Sequence, residues 1–365
     1  MYQKPYKDLA DRLNSTPNGF PPTDDGTELR LLEKLYTPLE AAIASQLRLT
    51  PETIEQIYNR LDTAGSQIKD AKELKAQLKQ MARNGLIAVE RTSAGLAFGL
   101  LPFVVGIYEY QAGRIDSELA QLFEEYYHQA FGEALSVEPA FHRVVPVNET
   151  ITHGIEIRPH ENVVEIVNNA QAWGVLDCIC RVQKKLIGDP CQHPIDVCMA
   201  MSQKPGAFNN NAHIRSLTRE QALEVLVRAA EAGLVHSVSN TREGNSYLCN
   251  CCTCSCGILR GLADLGIANA VASSPFINQV DDTLCNACET CVEYCQFDAL
   301  ELVQNTMQVN HSRCVGCGVC VPACEEGAMA LVRRPDGEIL EIPESEIDWQ
   351  KERAEFRQID LSKIL

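Results

Sequence analysis

The run Cys285-Asn-Ala-Cys288-Glu-Thr-Cys291-Val-Glu-Tyr-Cys295 recurs as Cys314-Val-Gly-Cys317-Gly-Val-Cys320-Val-Pro-Ala-Cys324. In each, the first three cysteines are spaced so that a tight loop turns their sulfurs toward one point, and a fourth follows. Four thiolates suffice to hold one iron–sulfur cube. Zinc sites more often pair two C-x-x-C knuckles across a longer gap, so the repeat reads as iron–sulfur ligation. Asp298-Ala-Leu-Glu-Leu and Gly327-Ala-Met-Ala-Leu follow the two runs at equivalent positions and predict short helix-to-strand exits. Gly316 and Gly318 leave the backbone free to wrap a cluster.

Residues 276–335 resemble the bacterial two-cluster ferredoxin family. The resemblance implies that the last cysteine of each run crosses over. One 4Fe–4S cluster then falls to Cys285, Cys288, Cys291 and Cys324, and a second to Cys314, Cys317, Cys320 and Cys295. The proline usual after the fourth cysteine in that family is replaced by Gln296 and Glu325, which bears on loop geometry and reduction potential rather than on ligation.

The composition agrees with metals rather than disulfides. There are 17 cysteines in 365 residues, and all of them lie from Cys178 to Cys324. Such a chain is long enough for two or three domains with cores of their own. Its opening, Met1-Tyr-Gln-Lys-Pro-Tyr-Lys-Asp, lacks the apolar stretch of an export signal, so a reducing, cytoplasmic setting is expected. The longest apolar run, 94–108, is broken by Gly95, Gly99, Pro102 and Gly106 and is too short to span a bilayer. A net charge of −17 opposes bulk attraction to nucleic acid or an anionic membrane.

Nine cysteines lie outside the repeat: Cys178, Cys180, Cys191, Cys198, Cys249, Cys251, Cys252, Cys254 and Cys256. Thiols this dense are an oxidation hazard unless ligated. They are enough for one or two further iron–sulfur clusters; one cluster with redox-active thiols, or a zinc site, stay open beside that. On a strand Cys178 and Cys180 would share a face, as would Cys252, Cys254 and Cys256. The Cys251-Cys252 pair is similar to the adjacent cysteines of cysteine-rich heterodisulfide-reductase subunits, although the rest of that pattern is absent. Arg181 either places a positive charge near a cluster or forms a surface ion pair. His193 and His213 read as hydrogen-bonded loop histidines rather than ligands.

Elsewhere the pattern predicts an α+β multidomain chain. Residues 1–27 read as an irregular arm because of Pro5, Pro17, Gly19, Pro21, Pro22 and Gly26. Helices are expected over 28–47 with a break near Pro38, over about 50–61, and over 66–83, followed by two strands around Ser93-Ala94-Gly95. Three helices and a hairpin are the order of a winged helix, which 28–112 resembles. Lys69, Lys72, Lys75, Lys79, Arg83 and Arg91 leave duplex binding open, with protein docking favoured. Residues 113–275 are expected to form a helical linker and a Cys-rich metal-binding domain, with helices at 116–130, 160–172 and 218–232. A charged helix in the 336–365 tail is expected to dock on the protein body.

Neither a dinucleotide fingerprint, a P-loop, G-x-S-x-G nor H-E-x-x-H occurs. The expectation is an electron-transfer protein, or such a subunit of an anaerobic oxidoreductase, working with a redox partner protein. A redox-responsive DNA-binding regulator and an enzyme with an open iron in the middle domain are the alternatives.

Overall fold

The computed structural model describes residues 3–63, 68–147, 150–152, 155–211 and 213–365. The chain forms two compact units, one of residues 1–137, 186–188 and 350–365, the other of 138–185 and 189–349.

The first unit begins with α1 (Lys4–Asn14), where an irregular arm was expected. Pro5 lies in its first turn, where a missing N–H breaks no helical bond, and Tyr6, Leu9 and Leu13 recur on one buried face. α2 (Thr27–Leu35) stops short of Pro38, which opens α3 (Pro38–Ala44) inside a Thr37/Glu40 capping box. The break expected at Pro38 is therefore a new helix start. β1 (Glu52–Thr53), α4 (Ile54–Thr63) and α5 (Ala71–Arg83) follow, then the antiparallel β2 (Ile87–Thr92) and β3 (Gly95–Leu100). The start expected for α5 at Ser66 lies outside the described residues; its N-cap is Asp70, whose side chain accepts from the Glu73 N–H. β3 lies between β1 and β2. α6 (Ser117–Tyr126) and α7 (Gly132–Leu135) follow beside an aromatic core, with Tyr108 stacked on Phe123 at 3.8 Å and Phe20 tilted against Phe103 at 4.6 Å.

The second unit contains a seven-stranded sheet. Its strands are β4 (His142–Val144), β5 (Ala172–Leu176), β6 (Cys198–Ser202), β7 (Arg215–Leu217), β8 (Val235–Ser239), β9 (Tyr247–Cys251) and β10 (Val271–Ala272), in spatial order β10-β4-β8-β9-β6-β5-β7. All pair antiparallel except β10 with β4. The helix expected over 160–172 is shorter: a single turn at Pro159–Glu161 precedes α8 (Val163–Asn168), and Ala172 already opens β5. α9 (Ile179–Leu186), α10 (Arg219–Glu231) and α11 (Gly257–Ala263) connect the strands. α10 starts in a Thr218/Gln221 capping box and ends at Gly233, whose φ of 71° lets Leu234 N–H turn back to the Ala229 carbonyl.

Alternation along the strands divides the sheet chemically. Met199, Met201 and Leu248 join Val163, Ile166, Val167, Ala222, Val225 and Leu226 in one apolar core with α8 and α10. Cys198, Cys249 and Cys251 alternate with those core positions and so take the other face. Cys178 and Cys180 do not share a strand, because β5 ends at Leu176 and Cys180 lies in α9. Nor do Cys252, Cys254 and Cys256, since β9 ends at Cys251 and a turn leads into α11.

The chain then builds β11 (Phe276–Val280), α12 (Thr290–Tyr294), β12 (Leu300–Val303), β13 (Thr306–Val309) and β14 (Met329–Arg333), with β11 paired to β14 and β12 to β13. α13 (Glu346–Phe356) follows. Its Trp349, 4% exposed, donates its indole N–H to the Ala140 carbonyl at 2.9 Å within the second unit. Arg353, fully buried, donates within the first unit to the carbonyls of Pro17 (3.0 Å), Ala134 (3.0 Å) and Val137 (2.7 Å). Among the described residues no helix is long and apolar enough to cross a membrane.

Arg353→Leu strips three buried carbonyls of a charged donor, at about 1–3 kcal/mol each before relaxation. The expected result is a loss of more than about 2 kcal/mol, seen as a lower denaturant midpoint for the first unit, with the iron content of the chain unchanged. An unchanged midpoint would contradict the role given to this side chain.

Candidate metal centres

The two cysteine repeats lie on matching backbone. Ala287 (φ 62°), Glu289 (φ 60°) and Asp298 (φ 49°) in the first stand where Gly316 (φ 67°), Gly318 (φ 78°) and Gly327 (φ 64°) stand in the second. The left-handed conformation curls each loop so that successive thiols face inward. Two of the glycines are also required by space. A Cβ at Gly316 would lie 2.0 Å from the Phe276 carbonyl oxygen, and one at Gly318 would lie 2.3 Å from Thr150 Oγ1.

The fourth cysteine of each run stands with the sulfurs of the other. Cys285, Cys288, Cys291 and Cys324 line one hollow together with Val280, Met307 and Met329. Cys295 interacts with Cys314, Cys317 and Cys320. Cys291 and Cys320 belong to one core with Leu300, Met307 and Met329, so the two sets are neighbours. Backbone and side chains direct hydrogen bonds at the sulfurs: Ala299 N–H to Cys295 Sγ and Ala328 N–H to Cys324 Sγ, both 3.3 Å, and Asn278 Nδ2 to Cys320 Sγ at 3.1 Å. Donors of this kind stabilise charge on ligand sulfur. Burial pushes Cys291 up to about 11 and Cys317 up to about 12, so these thiols ionise only when a cation lies beside them. A coordinated metal supplies that cation and deprotonates a thiol outright. The residues therefore fit two thiolate-ligated clusters.

The nine remaining cysteines separate into two groups. Six form a closed ring of sulfur contacts: Cys178 with Cys180 and Cys198, Cys180 with Cys256, Cys256 with Cys251, Cys251 with Cys249, and Cys249 with Cys198. They come from α9, β6, β9 and the start of α11, on the sheet face opposite the apolar core. Hydrogen bonds from Cys180 and Cys198 hold Cys178 well below the usual thiol range against the effect of its burial. Cys249 and Cys256 bring Cys251 down to about 7.

The other three, Cys191, Cys252 and Cys254, gather with His193, and all four ligand atoms lie within 4.8 Å of one another. His193 was expected to be a loop histidine without a ligand's role; its ring now stands among three thiols. Its two-residue spacing from Cys191, matching Cys252-x-Cys254, was the signal available in the chain. His213 is exposed. Arg181 is not the surface ion pair allowed for. It is 2% exposed, donates to the carbonyls of Pro194 (2.7 Å) and Asn250 (2.5 Å), and hydrogen-bonds Cys252. Burial works against its charge, but Cys178, Cys252 and Cys251 outweigh it and raise the guanidinium above its ordinary range. One buried cation thus serves both sulfur groups.

Gln296, in the place of the family's proline, joins the two cysteine regions. Its Oε1 accepts from Thr253 N–H at 2.8 Å, and its Nε2 donates to the Gly233 carbonyl. Thr253 lies between Cys252 and Cys254, and Gln296 follows Cys295 directly. Proline has no such side chain.

Two stretches, 279–301 and 307–330, match the 4Fe–4S binding domain family. Over 111 residues the chain is 29% identical to an iron-sulfur subunit of the CoB–CoM heterodisulfide reductase of Methanopyrus kandleri, covering 30% of this chain and 15% of that protein. No solved structure matches the chain. Two adjacent matches mean that the chain carries two 4Fe–4S clusters, cofactors whose chemistry is one-electron transfer.

Gln296→Ala removes two hydrogen bonds between the cysteine regions, worth about 1–3 kcal/mol together. We expect faster amide exchange at Thr253 and its neighbours with the iron content intact. Exchange that stays at the parent rate would mean that Gln296 does not hold this junction.

Proposed function

We propose that this chain is the electron-transfer subunit of an anaerobic oxidoreductase, passing single electrons between its clusters and a redox partner protein. The observation that carries the reading is the interlocked pair of thiol sets, Cys285, Cys288, Cys291 and Cys324 beside Cys314, Cys317, Cys320 and Cys295, around the shared Cys291–Cys320 core. Two clusters held by adjoining walls are close enough for an electron to pass between them, and the chain's part is to set burial, charge and N–H···S hydrogen bonding. Cys288 is exposed, which gives the first cluster a side from which a partner can exchange electrons. The partial match to a heterodisulfide reductase iron-sulfur protein supports a place in a larger reductase. In this reading the six-thiol ring is a further metal-binding group, but not a cubane, because its sulfurs lie in contact with one another.

Residues 28–112 serve as a winged-helix-like module that docks a protein partner. The specific observation favouring a second reading, a redox-responsive DNA-binding regulator, is that Lys72 and Lys75 of α5, with nearby Lys69, Arg83 and Arg91, are exposed. The acidic balance of the whole chain weighs against it. Retention of the full protein on a low-salt duplex-DNA column, changing between reduced and oxidised states, would favour the regulator; flow-through in both states removes it.

Cys317→Ala is expected to abolish the low-temperature EPR signal of one reduced cluster, lower iron by about four per chain, and stop electron delivery to an acceptor dye. Unchanged electron flow in that variant would overturn the electron-transfer reading.

A further inference from the structure

We propose that Cys191, His193, Cys252 and Cys254 bind a single tetrahedral zinc ion, separate from the iron–sulfur clusters. The distances carry the argument. With Zn–S bonds of about 2.3 Å and a Zn–N bond of about 2.0 Å, tetrahedral angles put ligand sulfurs about 3.8 Å apart and sulfur and nitrogen about 3.5 Å apart. The sulfurs of Cys191 and Cys252 are 3.9 Å apart, and Cys254 Sγ lies 3.6 Å from His193 Nδ1. In a cubane each thiolate binds its own iron at a separate corner, so its ligand sulfurs cannot approach so closely. Among the described residues this is the one group of three or more metal-ligating side chains whose ligand atoms all lie within 4.8 Å, and the eight cysteines of the ferredoxin-like repeats do not meet that spacing.

The donors and their surroundings fit the same ion. Three thiolates and one imidazole form a closed structural zinc set with no position left for substrate. They come as two short pairs, Cys191-x-His193 from the loop between α9 and β6 and Cys252-x-Cys254 from the loop between β9 and α11, so the ion would tie the two loops together. Ser255, 2% exposed, donates its hydroxyl to Cys191 Sγ at 3.4 Å. Arg181 hydrogen-bonds Cys252 and donates to the carbonyls of Pro194, next to His193, and Asn250, in β9 just before the Cys252 loop. A divalent ion with three thiolates and a neutral imidazole carries one net negative charge, and the buried Arg181 cancels it. On its inner side the site is shielded by the apolar core that includes Cys252 and touches Cys191.

Zinc is redox-inert, so the site is structural rather than a stop on the electron path. What it fixes is the Thr253 loop, whose N–H bonds to Gln296 next to Cys295. The ion is thereby the footing on which the second cysteine repeat's partner loop rests. This inference stands apart from the electron-transfer reading, since neither cluster ligation nor electron flow enters it.

The test uses full-length, anaerobically purified protein. Elemental analysis is expected to give about one zinc per chain beside the iron, and zinc-edge X-ray absorption three sulfurs near 2.3 Å and one nitrogen near 2.0 Å. Cys254→Ala should lose the zinc and keep the EPR signals of the two reduced clusters, whereas His193→Cys should keep the zinc with four sulfur neighbours. Parent protein with well under one zinc, zinc surrounded by oxygen or by four sulfurs, or a Cys254→Ala variant that loses iron and acid-labile sulfide instead would each overturn the proposal. The absorption measurement on the parent protein decides even if Cys254→Ala does not fold. Loss of cluster signals in Cys317→Ala bears on the electron-transfer reading alone.

Discussion

Thiolate sulfurs repel one another and are costly to bury, yet this fold collects them in groups. The constraint is most visible where Cys295 and Cys324 each leave their own loop and join the other's three sulfurs. Neither loop then has a complete set of four by itself, so the halves of the repeat must assemble together. The rest of that region follows. β11 pairs with β14 across the whole repeat, the Ala299 and Ala328 amides turn toward the fourth sulfurs, and Gly316 and Gly318 admit Phe276 and Thr150 where a side chain would block them. Cation and thiolate are interdependent at Cys291 and Cys317, because burial keeps these thiols protonated unless a cation lies beside them.

The seven-stranded sheet solves a related problem by alternation. One face presents Met199, Met201 and Leu248 to α8 and α10, and the other presents Cys198, Cys249 and Cys251 to the thiols of α9 and α11. A one-residue slip in β9 would exchange Leu248 and Asn250 for the sulfurs, so the apolar core sets the register that the sulfur ring needs. Asn250 secures that register from within. It donates to the Val197 carbonyl at 2.6 Å, and its Oδ1 lies 2.5 Å from His236 Nδ1. The same strand thus carries packing energy on one side and sulfur chemistry on the other.

Two polar side chains unite these parts. Arg181 places one buried positive charge between the sulfur ring and the Cys191–His193–Cys252–Cys254 group, an arrangement that only several surrounding thiolates make stable. Gln296 occupies a position where the ferredoxin family has proline and uses its amide to reach Gly233 and Thr253. The departure from the family pattern is therefore a contact, not a flaw in the loop.

The two C-x-x-C-x-x-C-x-x-x-C runs determined by themselves that two 4Fe–4S clusters are bound, because ligand type and local spacing are properties of the chain alone. The start of α10 was legible for the same reason, since Thr218 caps it through Gln221 three residues on, whereas the caps at Thr37 and Asp70, built the same way, were not read from the chain. The prolines of the first 27 residues misled, since a proline in a first turn looks like any other until Tyr6, Leu9 and Leu13 are seen to be buried. How the nine other cysteines divide was decided only by tertiary structure. Cys191 and Cys252 stand 61 residues apart in the chain and 3.9 Å apart in space, and Cys178 meets Cys198 only after β5 and β6 pair. Local spacing says which sulfurs can converge within a loop; sheet register and helix packing alone say which loops meet.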